Sequence, residues 1–334
     1  MEFPVLVADV GGTNARFGMV RRSSASAEIL GIAKTAEFDG FEAAAASVLA
    51  GEASPPATLI LAFAGPILDG PMALTNCPWT IDPASILAKL GVERLLLLND
   101  FEAQSLSLPF LNDADLRLIG APARRGVGAK VVLGPGTGLG VGGLGRTRHG
   151  WRPRRSEGGH IGFGPVGAEE AALWPDLERK CGFVTAEHLL SGPGLLRLYH
   201  AIVADRGRGG EILFEPRDVS DAARAGNACA RAALQRFCIL LGRFARDMAL
   251  TFFADGGVYI AGGIAPHLAG ELQNGGFRQA FESGATHLDF LRALPVSLIT
   301  DPFPAFRGLT ELAQAPDRFD LDLAGRFHCA ADRP

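Results

Sequence analysis

The stretch Leu95-Leu96-Leu97-Leu98-Asn99-Asp100 runs four leucines straight into an amide and a carboxylate. An unbroken apolar run closed by polar residues predicts a strand buried on both faces, with Asn99 and Asp100 emerging at its carboxyl end. Strand ends of that kind face ligand crevices in α/β sheets. Phe101-Glu102-Ala103-Gln104-Ser105-Leu106 then reads as a helix start, so Asp100 is either its N-cap or a carboxylate kept for chemistry. The residues around it choose between the two.

Working outward, strands and helices alternate on both sides. Phe41–Leu49 and Pro83–Leu90 read as helices and Thr58–Pro66 as a buried strand, with a loop carrying Asn76 and Trp79 between. This is the pattern of an α/β unit. At 334 residues the chain exceeds one usual core, which predicts two lobes sharing a cleft, with the looser stretch 112–128 as the crossing. Hydrophobic residues at 48% and charged ones at 20% fit a compact globule and exclude a disordered chain. A net charge of -4 gives no footprint for nucleic acid or an anionic membrane. No apolar run approaches the roughly 18 residues of a membrane span, and no signal-type leader is visible. The cysteines Cys77, Cys181, Cys229, Cys238 and Cys329 never form a C-x-x-C pair, which suits reduced thiols in the cytoplasm.

Three glycine tips carry the chemistry. The first follows β-type residues Val5–Val10 and precedes a second run, Arg16–Val20, with Gly11-Gly12-Thr13-Asn14 between them. Paired glycines let backbone N–H groups crowd around an anion, although an ordinary hairpin turn explains glycines equally well. The turn does not explain Asp9, a charge inside an apolar strand, which is costly unless it meets a cation such as water-sheathed magnesium. The second tip, Gly134-Pro135-Gly136-Thr137-Gly138-Leu139-Gly140, repeats the device after Lys130–Leu133. Gly138, Gly140 and Gly143 satisfy G-x-G-x-x-G. A dinucleotide fingerprint is rejected all the same, because another β run and more glycine follow where that motif needs a helix. None of the four lysines follows a glycine, which excludes a Walker A loop. The third tip, Gly262-Gly263, ends a strand that follows an apolar helix over 230–253; a flat ring can lie against such bare backbone.

In this order and spacing, Asp9-Val-Gly-Gly-Thr-Asn14, Asn99-Asp100, Gly134-x-Gly-Thr-Gly-Leu-Gly140, Glu157-Gly-Gly-His160, Glu187 with Leu190-Ser-Gly-Pro-Gly194, and Ala261-Gly-Gly-Ile264 resemble the bacterial glucokinase family, over about residues 4–315. The resemblance implies a two-lobed, actin-like ATPase fold of the ribonuclease H-like α/β class with a central cleft. It divides the chain into a smaller α/β domain over 1–111, completed by about 301–334, and a larger one over 112–300. It implies ATP as phosphoryl donor, Mg2+, glucose as acceptor, and a homodimer. Nucleotide contacts are expected from Ala8, Asp9, Val10, Gly11, Gly12, Thr13, Asn14, Gly136, Thr137, Gly138, Gly262 and Gly263, with Asp9 holding the metal through water. Asn99, Asp100, Glu157, His160 and Glu187 are expected around the sugar, with Asp100 as catalytic base.

The chemistry of a pyranose agrees, since carboxylates and amides are natural readers of hydroxyls that both donate and accept. The plain alternatives are a satisfied buried imidazole for His160 and a helix-start acid for Glu187. An exposed loop accounts for His188 and the basic run 146–155 without a functional role. The chain departs from the family at Pro302-Phe-Pro-Ala-Phe-Arg-Gly308, where relatives carry small residues, and a tail over 315–334 runs past the resemblance. The related repressor and sugar-kinase lineage carries a cysteine-rich zinc motif after Glu-x-Gly-His, where this chain has only Cys181. Its non-catalytic sugar sensors open with a helix-turn-helix, whereas this chain enters a strand at Val5.

Overall fold

A computed structural model describes residues 1–74, 77–120, 126–207, 211–284 and 286–330. Asn76, part of the 112–128 stretch and the end of the tail lie outside them. The chain forms two compact units, Met1–Leu111 with Leu144–Arg155 and Asp301–Pro334, and Asn112–Gly143 with Ser156–Thr300.

In chain order the strands are β1 (Val5–Val10), β2 (Asn14–Val20), β3 (Glu28–Lys34), β4 (Thr58–Phe63), the two-residue β5 (Met72–Ala73) and β6 (Thr80–Ile81), β7 (Arg94–Asn99) and β8 (Leu116–Leu118). They continue as β9 (Lys130–Pro135), β10 (Leu139–Thr147), β11 (Gly150–Ser156), β12 (Val258–Ile260), β13 (Val296–Ile299) and β14 (Phe327–Cys329). The first sheet runs β14-β7-β4-β1-β2-β3 and the second β11-β10-β9-β12-β13-β8. Counted from β1 and from β9, both follow the ribonuclease H-like order 3-2-1-4-5. In each the first, fourth and fifth strands are parallel, and a short antiparallel strand lies beyond the fifth, β14 or β8.

β7 is the strand of four leucines, and Leu95 to Leu98 are all buried. Flanked by β4 and β14, it has no open edge, which is why it carries no alternating polar face. The helix Asp100–Ser107 leaves it at once and crosses the later helix Pro304–Gln314 where a Cβ on Gly308 would collide with the Ala103 carbonyl. That close approach requires glycine. The core of the second unit gathers around the long helix Ala228–Thr251, whose Leu234, Phe237, Leu241, Phe244 and Met248 recur on one face. It begins and ends two residues earlier than its apolar pattern predicts, because the Asn227 side chain accepts from the amides of Cys229 and Ala230 and sets the start.

The bulky return segment is accommodated by specific partners. The Phe306 ring occupies space that any side chain at Gly18 would fill, and Phe303 lies 5.0 Å beneath the Arg16 guanidinium. The described part of the tail adds a strand: Phe327, His328 and Cys329 pair with Leu96, Leu95 and Arg94. The basic run 146–155, expected as an exposed loop, belongs mainly to β10 and β11. There Arg146 covers Trp151 at 4.9 Å and Arg152 pairs with Asp320 at 2.6 Å.

Candidate active site

The first glycine tip closes the β1–β2 hairpin, with Val10 opposite Ala15 and Asp9 opposite Arg16. Gly11 donates to the Asn14 carbonyl at 3.0 Å, while the carbonyls of Gly12 and Thr13 accept from the Thr35 hydroxyl and amide at 2.9 Å each. Asn14, expected in the turn, is the first residue of β2. Ala8 and Val10 are wholly buried. Asp9 is buried too, and its carboxylate meets Arg16 at 3.3 Å. Burial pushes the Asp9 carboxyl above its ordinary range, against the pull of the Arg16 guanidinium. Arg16 escaped the sequence reading. Its signal was available in the hairpin register, which puts a basic residue opposite the acid on the same face of the sheet.

At the end of β7 the structure shows which residue caps the helix. Asn99 is the N-cap: its side-chain oxygen accepts from Phe101 N–H at 3.0 Å and Glu102 N–H at 3.2 Å. Glu102 returns the contact to the Asn99 amide at 3.4 Å, completing a capping box. Asp100 is the first residue of the helix, and its Oδ1 accepts from Phe101 N–H at 2.9 Å. The plain reading of Asp100 as N-cap is therefore replaced by Asn99, and Asn99-x-x-Glu102 was the overlooked signature. The Asn99 amide nitrogen donates to the Gly65 carbonyl at 3.3 Å and carries a second N–H for a ligand.

In the second unit three expected sugar readers come together. His160 ends a short 3-10 turn, Gly158–His160, in which its amide donates to the Glu157 carbonyl at 3.0 Å. Its Nδ1 lies 3.2 Å from the Glu157 carboxylate and its Nε2 3.7 Å from that of Glu187. The three side chains are 58%, 65% and 32% exposed for His160, Glu157 and Glu187, so His160 is no satisfied core imidazole. Glu187 sits in the short helix Ala186–Leu189 as a helix-start acid and also accepts from the Leu139 amide at 2.9 Å, against Gly138. One carboxylate thus joins the sugar readers to the second glycine tip. His188, expected on a loop, is in that helix, where its Nδ1 accepts from Thr185 N–H at 3.1 Å.

The second and third tips are also one structure. Gly136 donates to Gly138 O at 2.8 Å, and its own carbonyl accepts from Gly192 N–H at 2.8 Å; Thr137 lies between the two. Ala261 and Ile264 donate to the carbonyls of Leu133 and Pro135 at 2.7 and 3.2 Å. Gly262 has φ +80°, and a Cβ there would strike the Pro135 carbonyl, whereas one on Gly263 would meet open space. The arrangement offers bare backbone beside Gly263 and amide-rich turns at Gly136–Gly138. Among the described residues no group of three or more His, Cys, Asp or Glu is placed to hold a metal. A single buried carboxylate such as Asp9 suits magnesium, which keeps most of its water and takes the rest of its ligands from phosphates.

The family model described as glucokinase matches residues 6–316. A glucokinase of Agrobacterium fabrum is 42% identical over 329 residues, covering 98% of this chain and 96% of the relative. One from Brucella suis is 43% identical over 327 residues, covering 97% and 95%. Among solved structures, a glucokinase from an Antarctic psychrotroph superposes with a TM-score of 0.82 at 31% identity, over 94% of this chain and 99% of the other. With near-complete coverage on both sides and the glycine tips, the capped helix start and the Glu157–His160–Glu187 cluster in place, the chain belongs to the glucokinase family.

Proposed function

We propose that the chain transfers the γ-phosphoryl group of ATP to the primary 6-hydroxyl of glucose, with Asp100 as general base. The observation that carries the assignment of the base is the start of the helix Asp100–Ser107, which is capped by Asn99 and Glu102 and so does not rely on Asp100 for its cap. A carboxylate at that position accepts the hydroxyl proton as the sugar oxygen attacks, a role worth about 10²–10⁴-fold. Asn99, Glu157, His160 and Glu187 read the remaining hydroxyls by donating and accepting. Backbone amides of Gly12–Thr13 and Thr137–Gly138 hold the phosphates while those of Gly11 and Gly136 close their own turns, Asn14 adds a side-chain donor, and Gly262 and Gly263 face the base and ribose. Asp9 would hold Mg2+ through water, and the ion would supply neutralisation of the phosphate charge. The five free cysteines support a cytoplasmic location, and no described helix is long and apolar enough to cross a membrane. A homodimer, acting on glucose and ATP without nucleic acid or membrane, rests on the family resemblance.

The test is ATP-dependent phosphorylation across a hexose panel, with Asp100→Asn beside the wild type and glucose binding followed by calorimetry. Glucose is expected as the preferred acceptor, and the variant is expected to bind glucose while its kcat falls at least a hundredfold. A variant within about tenfold of wild type removes Asp100 as base.

A further inference from the structure

The carboxyl-terminal segment carries one charge that chemistry at its own position does not explain. Arg326 is buried, its side chain 3% exposed, and its guanidinium meets the Glu102 carboxylate, 2% exposed, at 2.7 Å. Glu102 is the acid of the capping box, and its other oxygen receives the Asn99 amide. The Arg326 carbonyl accepts from Leu97 N–H at 2.9 Å. One residue therefore holds the backbone three positions before Asp100 and, by its side chain, the residue two positions after it.

A buried ion pair is a poor source of stability, because desolvating both charges offsets most of their attraction. Here the account is poorer still, since the Arg326 Nε–H is buried without a hydrogen-bond partner among the described residues. The pair does fix geometry. With the guanidinium in place the Glu102 carboxylate is paired and points at the Asn99 amide; without it the carboxylate is left uncompensated in an apolar interior and either turns away from that amide or draws water into the cap. Either change loosens the cap and the φ and ψ of Asn99, from which Asp100 departs.

We infer that Arg326 is a positioning residue for the reaction, acting through Glu102 to set Asn99 and Asp100 at the start of their helix. This rests on the reading of those two residues given above. It makes the tail beyond the family match a working part of the site and not a removable extension. Misplacement of a reacting group by about 1 Å costs on the order of a hundredfold, so the effect falls on turnover.

The experiment is steady-state kinetics of the full chain for Arg326→Met, Arg326→Lys, Glu102→Gln and the double variant Glu102→Gln/Arg326→Met, with Asp100→Asn alongside and rates referred to folded protein by circular dichroism. Arg326→Met is expected to lose about ten- to hundredfold in kcat and to raise the glucose KM, with the ATP KM unchanged. Arg326→Lys is expected to recover part of the loss. The double variant is expected to be no slower than the worse single one, because both act through one contact. If Arg326→Met does not fold, the lysine variant and the double variant, which buries no charge, carry the same comparison. Wild-type kcat and glucose KM in the folded variants, or an equal shift in the ATP KM, would overturn the inference and leave a structural role. An active Asp100→Asn would instead overturn the underlying assignment of the base.

Discussion

Glu187 shows how much one side chain is asked to do in the second unit. It accepts from Leu139, stands within reach of His160, and occupies the space above Gly138. Gly138→Ala would push a methyl into the end of that flexible carboxylate, which can swing away at little cost to the fold. The expected result is a melting temperature near wild type and a glucose KM raised about tenfold, since a hydrogen bond to a charged group is worth about 1.5–3 kcal/mol. At Gly18 the neighbours cannot yield, because a Cβ meets both the Phe306 ring and the Glu28 carbonyl. Gly18→Val is expected to lose about 1–3 kcal/mol in a urea titration. Phe303→Ala, by removing the ring beneath Arg16, is expected to lose about 0.5–2 kcal/mol from the same measurement.

Among the elements, those with a strong pattern were legible and those made by pairing were not. The helices Phe41–Leu49 and Pro83–Leu90 and the buried β7 follow from residue type, and the second even shows its Asp82 cap and its left-handed Gly91. β14 is three residues long, and β8 is as short; neither has room for a period, and each exists because the fifth strand of its sheet offers an edge. β11 read as a loop because Pro153 and its arginines are poor strand formers, yet a proline is tolerated on an edge strand. The glycine tips and the cluster of Glu157, His160 and Glu187 were legible as motifs. Arg16 and Arg326 were not, because their significance lies in what stands opposite them. The long helix offers a check at this scale: Asn227→Ala, removing its cap, is expected to lower stability by about 1 kcal/mol with an unchanged urea slope.

At the scale of the molecule, there are two separate apolar cores and two six-stranded sheets of the same strand order. The first is tied to the tail by Asp320, whose carboxylate accepts from Arg152 at 2.6 Å and Thr147 at 2.8 Å. The hydrogen bond from the Arg152 guanidinium, with that from Thr147, holds the Asp320 carboxyl below its ordinary range. A lowered folded-state pKa gives stability that is present above the unfolded value and is lost as the pH falls through the folded one. Asp320→Asn is therefore expected to melt below wild type at neutral pH, with a gap that begins to close near pH ~4 and is gone in stronger acid.

β1 begins at residue 5 and β14 at residue 327, yet both belong to one sheet. Until residue 329 has been synthesised, β7 presents a bare row of amides and carbonyls flanked by leucines, the kind of edge on which nascent chains aggregate. The sheet of the first unit is thus closed only when β14 arrives. A chain cut short before residue 327 would leave that edge of β7 open.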